Sequence, residues 1–381
     1  MTTYEKILPT VNQILKDHRL CNHCLGRLFS KQLGLKSNKI LGKKLQNNPK
    51  SDTKCFICKN LFESINSFLN LMFDSSNGYV FSTFNVGTII KPSIADRDDY
   101  IRSKYKLKGI DSIKTDVTRE LGRIFTKKTK KIIDVLDPDV VFTINIKESS
   151  CSIRSKPLTL FGRYVKTTRN LTQKQSSCMN CSGKGCRMCN FHGILQFNSV
   201  EGKISQFLFD NIGGTLTKFT WIGGEDKTSL VLGKGRPFFV KIQNPVKRTI
   251  TSNSVSFDLL KIKNLKIVPK SSKQPLKFIS SIKLFVKSDF PIKHEYLEKL
   301  KNLSLLPIVV YEKSGKRSEK KIFKLEYFQE SENELTLLID VEGGLPIKRF
   351  VNGDDVNPSI ANTLETPCKC AEFDILNVVL Q

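Results

Sequence analysis

The chain is poor in histidine, with four among 381 residues. Acid–base chemistry built on imidazole therefore has few carriers, and a catalytic group here would be a carboxylate or a cysteine. No run of eighteen or more apolar residues occurs, so no membrane-spanning helix is expected. The first residues mix Glu5, Lys6 and Lys16 into the apolar positions and lack a signal-peptide core. Also missing are a nucleotide-triphosphate loop, a dinucleotide fingerprint, a metalloprotease motif and a nucleophile elbow. Acidic residues are scarce beside basic ones, 36 against 62, which leaves a formal charge of +26. Such a field attracts polyanions, and nucleic acid is the partner it favours over the bland alternative of a lysine-rich, soluble surface.

Cysteine is the residue present in an informative pattern. Eight of the eleven fall into four Cys-x-x-Cys pairs: Cys21/Cys24, Cys55/Cys58, Cys178/Cys181 and Cys186/Cys189. A two-residue gap lets two thiolates from one tight turn reach a single tetrahedral metal. Two pairs close one zinc site, so one or two structural zinc ions are expected. Four thiolates leave no open position for substrate, which argues against a catalytic metal, and His23 and His192 beside the pairs read as bystanders. Reduced ligand thiols fit a cytoplasmic protein. Cys151, Cys368 and Cys370 read as packing residues or free thiols.

Length and a 39% hydrophobic content allow two or three domains with true cores. Residues 4–20 read as an amphipathic helix with Ile7, Val11, Ile14 and Leu15 on one stripe. A lysine-rich stretch runs from Lys39 to Lys54. Strands are expected over 79–91 and 140–146, with a helix around Thr118–Arg123 between them and Lys127, Lys128, Lys130 and Lys131 after it. Asn198-Ser-Val-Glu201 resembles a capping box opening a further helix. Strand-like runs follow at 238–242, 282–287, 305–311 and 335–341. The pattern is α+β, divided into a domain at 1–165, a linker with the second cysteine group at 166–195, and a domain at 196–381. Lys313 to Lys321 reads as a basic hairpin tip, and His294 as a surface residue.

One acidic pair stands at a glycine elbow, in Gly223-Gly-Glu-Asp226, with Gly233-Lys-Gly-Arg236-Pro-Phe238 after it. From the residues alone, Glu225-Asp226 is more often a solvated turn than a site. The segment resembles the catalytic loop of the archaeal and eukaryotic tRNA pseudouridine synthases that modify T-loop uridines, the Pus-ten family. There the pattern is Gly-Arg-Glu-Asp, six residues, then Gly-x-Gly-Arg-Pro-Phe. Further motifs resemble the family in the same order. They are Cys21-x-x-Cys24-Leu-Gly-Arg27, Phe84-Asn-Val-Gly87, Glu120-Leu-Gly-Arg-Ile124, Gly162-Arg-Tyr164, Gly343-Gly-Leu-Pro346-Ile-Lys348-Arg-Phe350 and Phe373-Asp-Ile-Leu376.

The resemblance implies a zinc-bound THUMP-like tRNA-binding domain followed by a mixed α/β pseudouridine synthase domain. It implies uridine isomerisation in the T-arm of tRNA, with Asp226 as the catalytic carboxylate and no catalytic cofactor; a monomer is the default expectation. Phe285, Pro346, Arg236 and Lys348 are the substrate-binding positions it points to. The chain departs from the family pattern at Gly224, where the family has arginine, and at Thr228-Ser-Leu230, where it commonly has Asp-Val-Arg. Phe285 and Pro346 stand where it has tyrosines. Those departures keep open a second reading, a tRNA-binding protein of weakened or no activity on the same fold.

Overall fold

In the computed structural model, which describes residues 3–33, 37–46, 54–269, 276–312 and 314–381, the chain divides at Lys156/Pro157 into two units. In chain order the first holds α1 (Thr3–Asp17), α2 (Asn22–Leu33), α3 (Asn38–Leu45), α4 (Ile65–Ser76) and β1 (Thr83–Ile89). Then come α5 (Pro92–Lys104), α6 (Ile113–Thr129), β2 (Ile132–Ile133), β3 (Val140–Asn145) and β4 (Ser150–Ser155). The sheet order is β2-β1-β3-β4, with β1 parallel to both neighbours and β4 antiparallel to β3. Alternate residues of β1 and β3 are buried, and their rings meet a helical face. Phe125 of α6 lies 4.9 Å from Phe84, 5.2 Å from Phe142 and 5.1 Å from Phe73 of α4, measured between ring centroids. Such offset and tilted ring pairs add to the gain from burial alone.

The expected stripe on α1 is buried at Ile7, Val11 and Ile14, although the helix stops at Asp17. Helices α2 and α3 cross backbone to backbone. A Cβ on Gly26 would lie 1.8 Å from the Asn38 carbonyl oxygen, and one on Gly42 would lie 1.7 Å from that of Asn22. Buried Arg27 of α2 pairs with buried Asp98 of α5, and Asp98 also accepts from Ile113 N at the start of α6 (3.1 Å). Three helices are thereby tied at one carboxylate.

The first cysteine group sits where α2 begins. Phe56 N donates to Arg19 O at 2.7 Å, which brings Cys55 and Cys58 against Cys21 and Cys24, and all four sulfurs lie within 4.8 Å of one another. The second group, in the other unit, meets the same criterion. Its sulfurs also receive donors: Asn180 Nδ2 and Gly185 N at 3.2 Å from Cys186 and Cys181, and Cys186 N and Gly193 N at 3.2 and 3.3 Å from Cys189. Hydrogen bonds of this kind favour thiolate over thiol, so the donor set fits a tetrahedral zinc ion at each group.

The second unit contains β5 (Leu158–Lys166), α7 (Val200–Ile212), β6 (Thr217–Trp221), β7 (Val231–Ile242), β8 (Val255–Phe257) and β9 (Leu260–Val268). It continues with β10 (Phe278–Ser288), α8 (His294–Lys299), β11 (Ile308–Tyr311), β12 (Arg317–Lys320), β13 (Ile322–Ser331) and β14 (Glu334–Glu342). Last are α9 (Ile347–Asn352), β15 (Val356–Asn357), α10 (Ile360–Leu364) and β16 (Cys368–Leu380). A nine-stranded sheet runs β13-β14-β10-β16-β7-β5-β9-β8, with β6 beside β7, and β12-β11-β15 form a small second sheet. The two halves of the large sheet meet where β16 runs parallel to β7, at Ile375 and Val231.

Several details differ from the sequence reading. The join falls at 156/157, ahead of the expected 165, because β5 pairs with β7 and β9. The second cysteine group belongs to the second unit. Ser199 caps α7 by accepting from Gly202 N (2.9 Å), but Glu201 accepts from Gln175 N (3.2 Å) and closes no capping box. The strand expected from 305 begins at Ile308, and Leu305 and Leu306 are exposed. Lys313 of the basic hairpin and residues 47–53 of the lysine-rich stretch lie outside the described residues.

Two thiolate cages predict two zinc ions per chain purified without chelator. Elemental analysis is expected to show one ion lost in Cys55→Ser and one in Cys186→Ser; zinc-free wild-type protein would contradict the assignment.

Candidate active site

The acidic pair lies in the loop between β6 and β7. Gly223 adopts φ +81°, and a Cβ there would sit 2.5 Å from Arg236 Nη2, so only glycine allows the turn. The turn sends its two carboxylates in opposite directions. Glu225 is wholly buried, whereas Asp226 keeps 24% of its side chain exposed.

Glu225 is held by residues of β5 and β7. Lys166, itself fully buried, places Nζ 3.1 Å from Glu225 Oε1. The same ammonium donates to the carbonyl oxygens of Leu171 (3.0 Å), Asp226 (3.2 Å) and Lys227 (3.4 Å). Tyr164 OH donates to Glu225 Oε2 at 2.7 Å, and Arg236 Nη1 lies 3.6 Å from that oxygen. Burial pushes the Tyr164 phenol up, aided by the Glu225 charge, so it keeps the proton it donates. Arg236 Nε also donates to Ile222 O (3.0 Å), bracing the entry to the turn. Beyond the turn, Arg169 forks onto Asp374 at 2.8 and 3.0 Å, and Leu230 N donates to the same carboxylate at 2.9 Å. The loop is fixed at both ends by charges from the sheet.

Asp226 faces a cleft of about 910 Å³. One wall is residues 223–227, the other is residues 343–349, and the floor comes from β10 and β16. Lys348, at the start of α9, pairs with the Asp226 carboxylate. That ammonium, with the Lys227 and Thr228 amides, holds the Asp226 carboxyl below its ordinary range despite partial burial. The cleft therefore presents an ionised carboxylate with its cation beside it.

Of the residues picked out by sequence, Asp226, Arg236, Pro346 and Lys348 line this cleft. Arg236 does so as the partner of Glu225. Phe285 does not line the cleft. The cleft takes Phe278, Ser280 and Ile282 from β10, and alternation puts Phe285 on the opposite face, with Lys283 Nζ 4.8 Å from its ring centroid. The aromatic ring in the cleft is Phe278. It fits because Gly223 and Gly343 leave space: a Cβ on either would come within 3.0 or 2.4 Å of the ring. The glycine pairs of the two loops were the available signal for that ring, together with the strand's alternation counted from 278. A Cβ on Gly224 would meet no atom within 4 Å, so the missing side chain leaves open space beside Asp226.

Removing the ammonium strands a buried carboxylate and several carbonyls. Lys166→Met is expected to cost about 3–5 kcal/mol of stability, read by urea unfolding; a loss under about 1 kcal/mol, the worth of an exposed pair, would contradict the arrangement.

Comparison with known proteins agrees with this geometry. Residues 159–379, which contain the whole cleft, match the family model described as Pus10, C-terminal, and residues 68–145 match Pus10 THUMP domain, archaeal. The protein named tRNA pseudouridine synthase Pus10 from Nitrosopumilus maritimus is 62% identical over 378 residues, covering 99% of both chains. The protein of the same name from Cenarchaeum symbiosum is 32% identical over 366 residues, 95% of this chain and 90% of its own. That from Methanothermobacter marburgensis is 28% identical over 388 residues, 96% of each. The chain belongs to the Pus10 family of pseudouridine synthases.

Proposed function

We propose that the protein isomerises uridine in the T-loop of tRNA, at position 54, 55 or both, with Asp226 as the working carboxylate. The observation that carries this reading is the ionised, partly exposed Asp226 in the cleft, paired with Lys348. The reaction breaks the bond from N1 to C1′, turns the base, and joins C5 to C1′, while a proton leaves C5 and N1 gains one. Nothing is oxidised and no group is gained, so a positioned carboxylate acting as nucleophile or base suffices without a cofactor. The relatives are named for tRNA, and a formal charge of +26 suits a polyanionic substrate. A T-loop uridine would leave its stack to reach the carboxylate, and Phe278 offers a ring against which its base can rest. The protein acts as a monomer in the cytoplasm, where the ligand thiols stay reduced.

Binding without turnover is the second reading, favoured by Gly224 and Pro346, which replace the family's arginine and tyrosine. Lys348 supplies a cation to Asp226 without the arginine, and this favours turnover.

Pseudouridine mapping on unmodified tRNA, with no added cofactor, decides between them. Wild-type protein is expected to convert a T-loop uridine, and Asp226→Asn to lose at least about 10³-fold in rate. Tight tRNA binding with no product from the wild type would select the second reading. The pH profile gives an independent check. Asp226 is ionised above its depressed pKa and loses activity only as pH falls through it. Lys348→Met removes the largest cause of that depression and leaves desolvation, so the acid limb is expected to move to higher pH. An unmoved limb would show that Lys348 does not act on Asp226.

A further inference from the structure

The reaction leaves the second cysteine knuckle without a task, yet its surface is built for contact. Residues 167–200 include no aspartate or glutamate, while Lys174, Lys184 and Arg187 are exposed. Three large side chains project from the same knuckle: Met179 is 93% exposed, Met188 69% and Phe191 51%. The knuckle is firmly seated, because His192 stacks on Phe209 of α7 with ring centroids 3.8 Å apart.

Phe191 is the informative residue. It stands at φ +60°, after Asn190 at +48°. This left-handed backbone lets Phe191 N reach Cys186 O and His192 N reach Cys189 O, both at 2.8 Å. Glycine would meet that requirement without strain. A bulky residue in this region is an outlier, and strain of this kind gathers at sites of function. Here half of the ring stays in solvent, so burial uses only part of the phenylalanine and leaves a face open to a partner.

We propose that this knuckle is an accessory tRNA contact, in which Phe191 stacks on an unpaired base and Lys184 and Arg187 hold flanking phosphates. Aromatic stacking beside cations is how single-stranded nucleotides are gripped irrespective of sequence. The segment's own charged side chains are all cationic, which favours a polyanion over a protein partner. Position agrees: Lys174 lines the cleft, and Cys178 follows four residues later, within about 14 Å along the chain. A tRNA whose uridine occupies the cleft passes close to the knuckle.

The inference rests on tRNA as the substrate, and the test separates the two. Dissociation constants for unmodified tRNA are compared for wild type, Phe191→Gly and the double variant Lys184→Ala/Arg187→Ala, with zinc content and melting temperature recorded. Phe191→Gly relieves the backbone, and the zinc content and melting temperature separate a lost contact from a weakened fold. It is expected to bind tRNA at least about fivefold more weakly, with an unchanged rate for bound tRNA. The double variant is expected to reduce the slope of log affinity against log salt by about 0.7 for each contact removed. Unchanged affinity and slope in zinc-replete variants would overturn the proposal and leave the surface to a protein partner. Failure of the wild type to form pseudouridine, by contrast, would refute the functional reading while these binding differences stood.

Discussion

The site depends on one buried cation, Lys166. An isolated ammonium removed from water costs several kcal/mol even after relaxation, and here it is offset by Glu225 and three carbonyl oxygens. Two of those carbonyls belong to Asp226 and Lys227, so the charge on β5 reaches across to shape the turn that carries the Asp226 carboxylate. Because β5 is locked between β7 and β9, the turn inherits the rigidity of the sheet. A hydrophobic residue of similar volume could fill the space, but it would give the carbonyls no reason to converge.

Neighbouring carboxylates with opposite fates follow from this arrangement. Glu225 faces inward to Lys166, Tyr164 and Arg236, and its charge is spent on structure. Asp226 faces the cleft and meets Lys348, which arrives from the far wall. In the proposed reaction the chemistry falls to the exposed member, as is common where environments separate two acids. The glycines serve the same end: Gly223 and Gly343 admit Phe278 between the two walls of the cleft that Asp226 also lines.

Much of this is legible in the sequence, for identifiable reasons. Cys-x-x-Cys spacing is a local rule, and both cysteine groups close as the spacing requires. Asp226 stands out only through the match of its loop to the family's motif, and Lys348 through the closing motif. What escapes depends on distant pairing. A lysine in Gly162-Arg-Tyr-Val-Lys166 gives no sign that it will be fully buried, since its partner lies in a loop dozens of residues later. Motif matching favours Phe285 over Phe278 because it ignores strand parity, and a shift of one residue turns a ring to the opposite face. The join reads too late because β5, taken alone, does not reveal which sheet it will enter.

In the proposed reaction Glu225, through Lys166, positions Asp226 for isomerisation. The most direct measurement is single-turnover pseudouridine formation by Glu225→Gln, at a temperature where the variant is folded and saturated with tRNA. Glutamine keeps the shape and removes the charge that anchors the ammonium. A displaced turn is expected to lower the rate by about 10²-fold or more while tRNA affinity is kept. A folded, tRNA-saturated Glu225→Gln protein turning over at the wild-type rate would contradict the account.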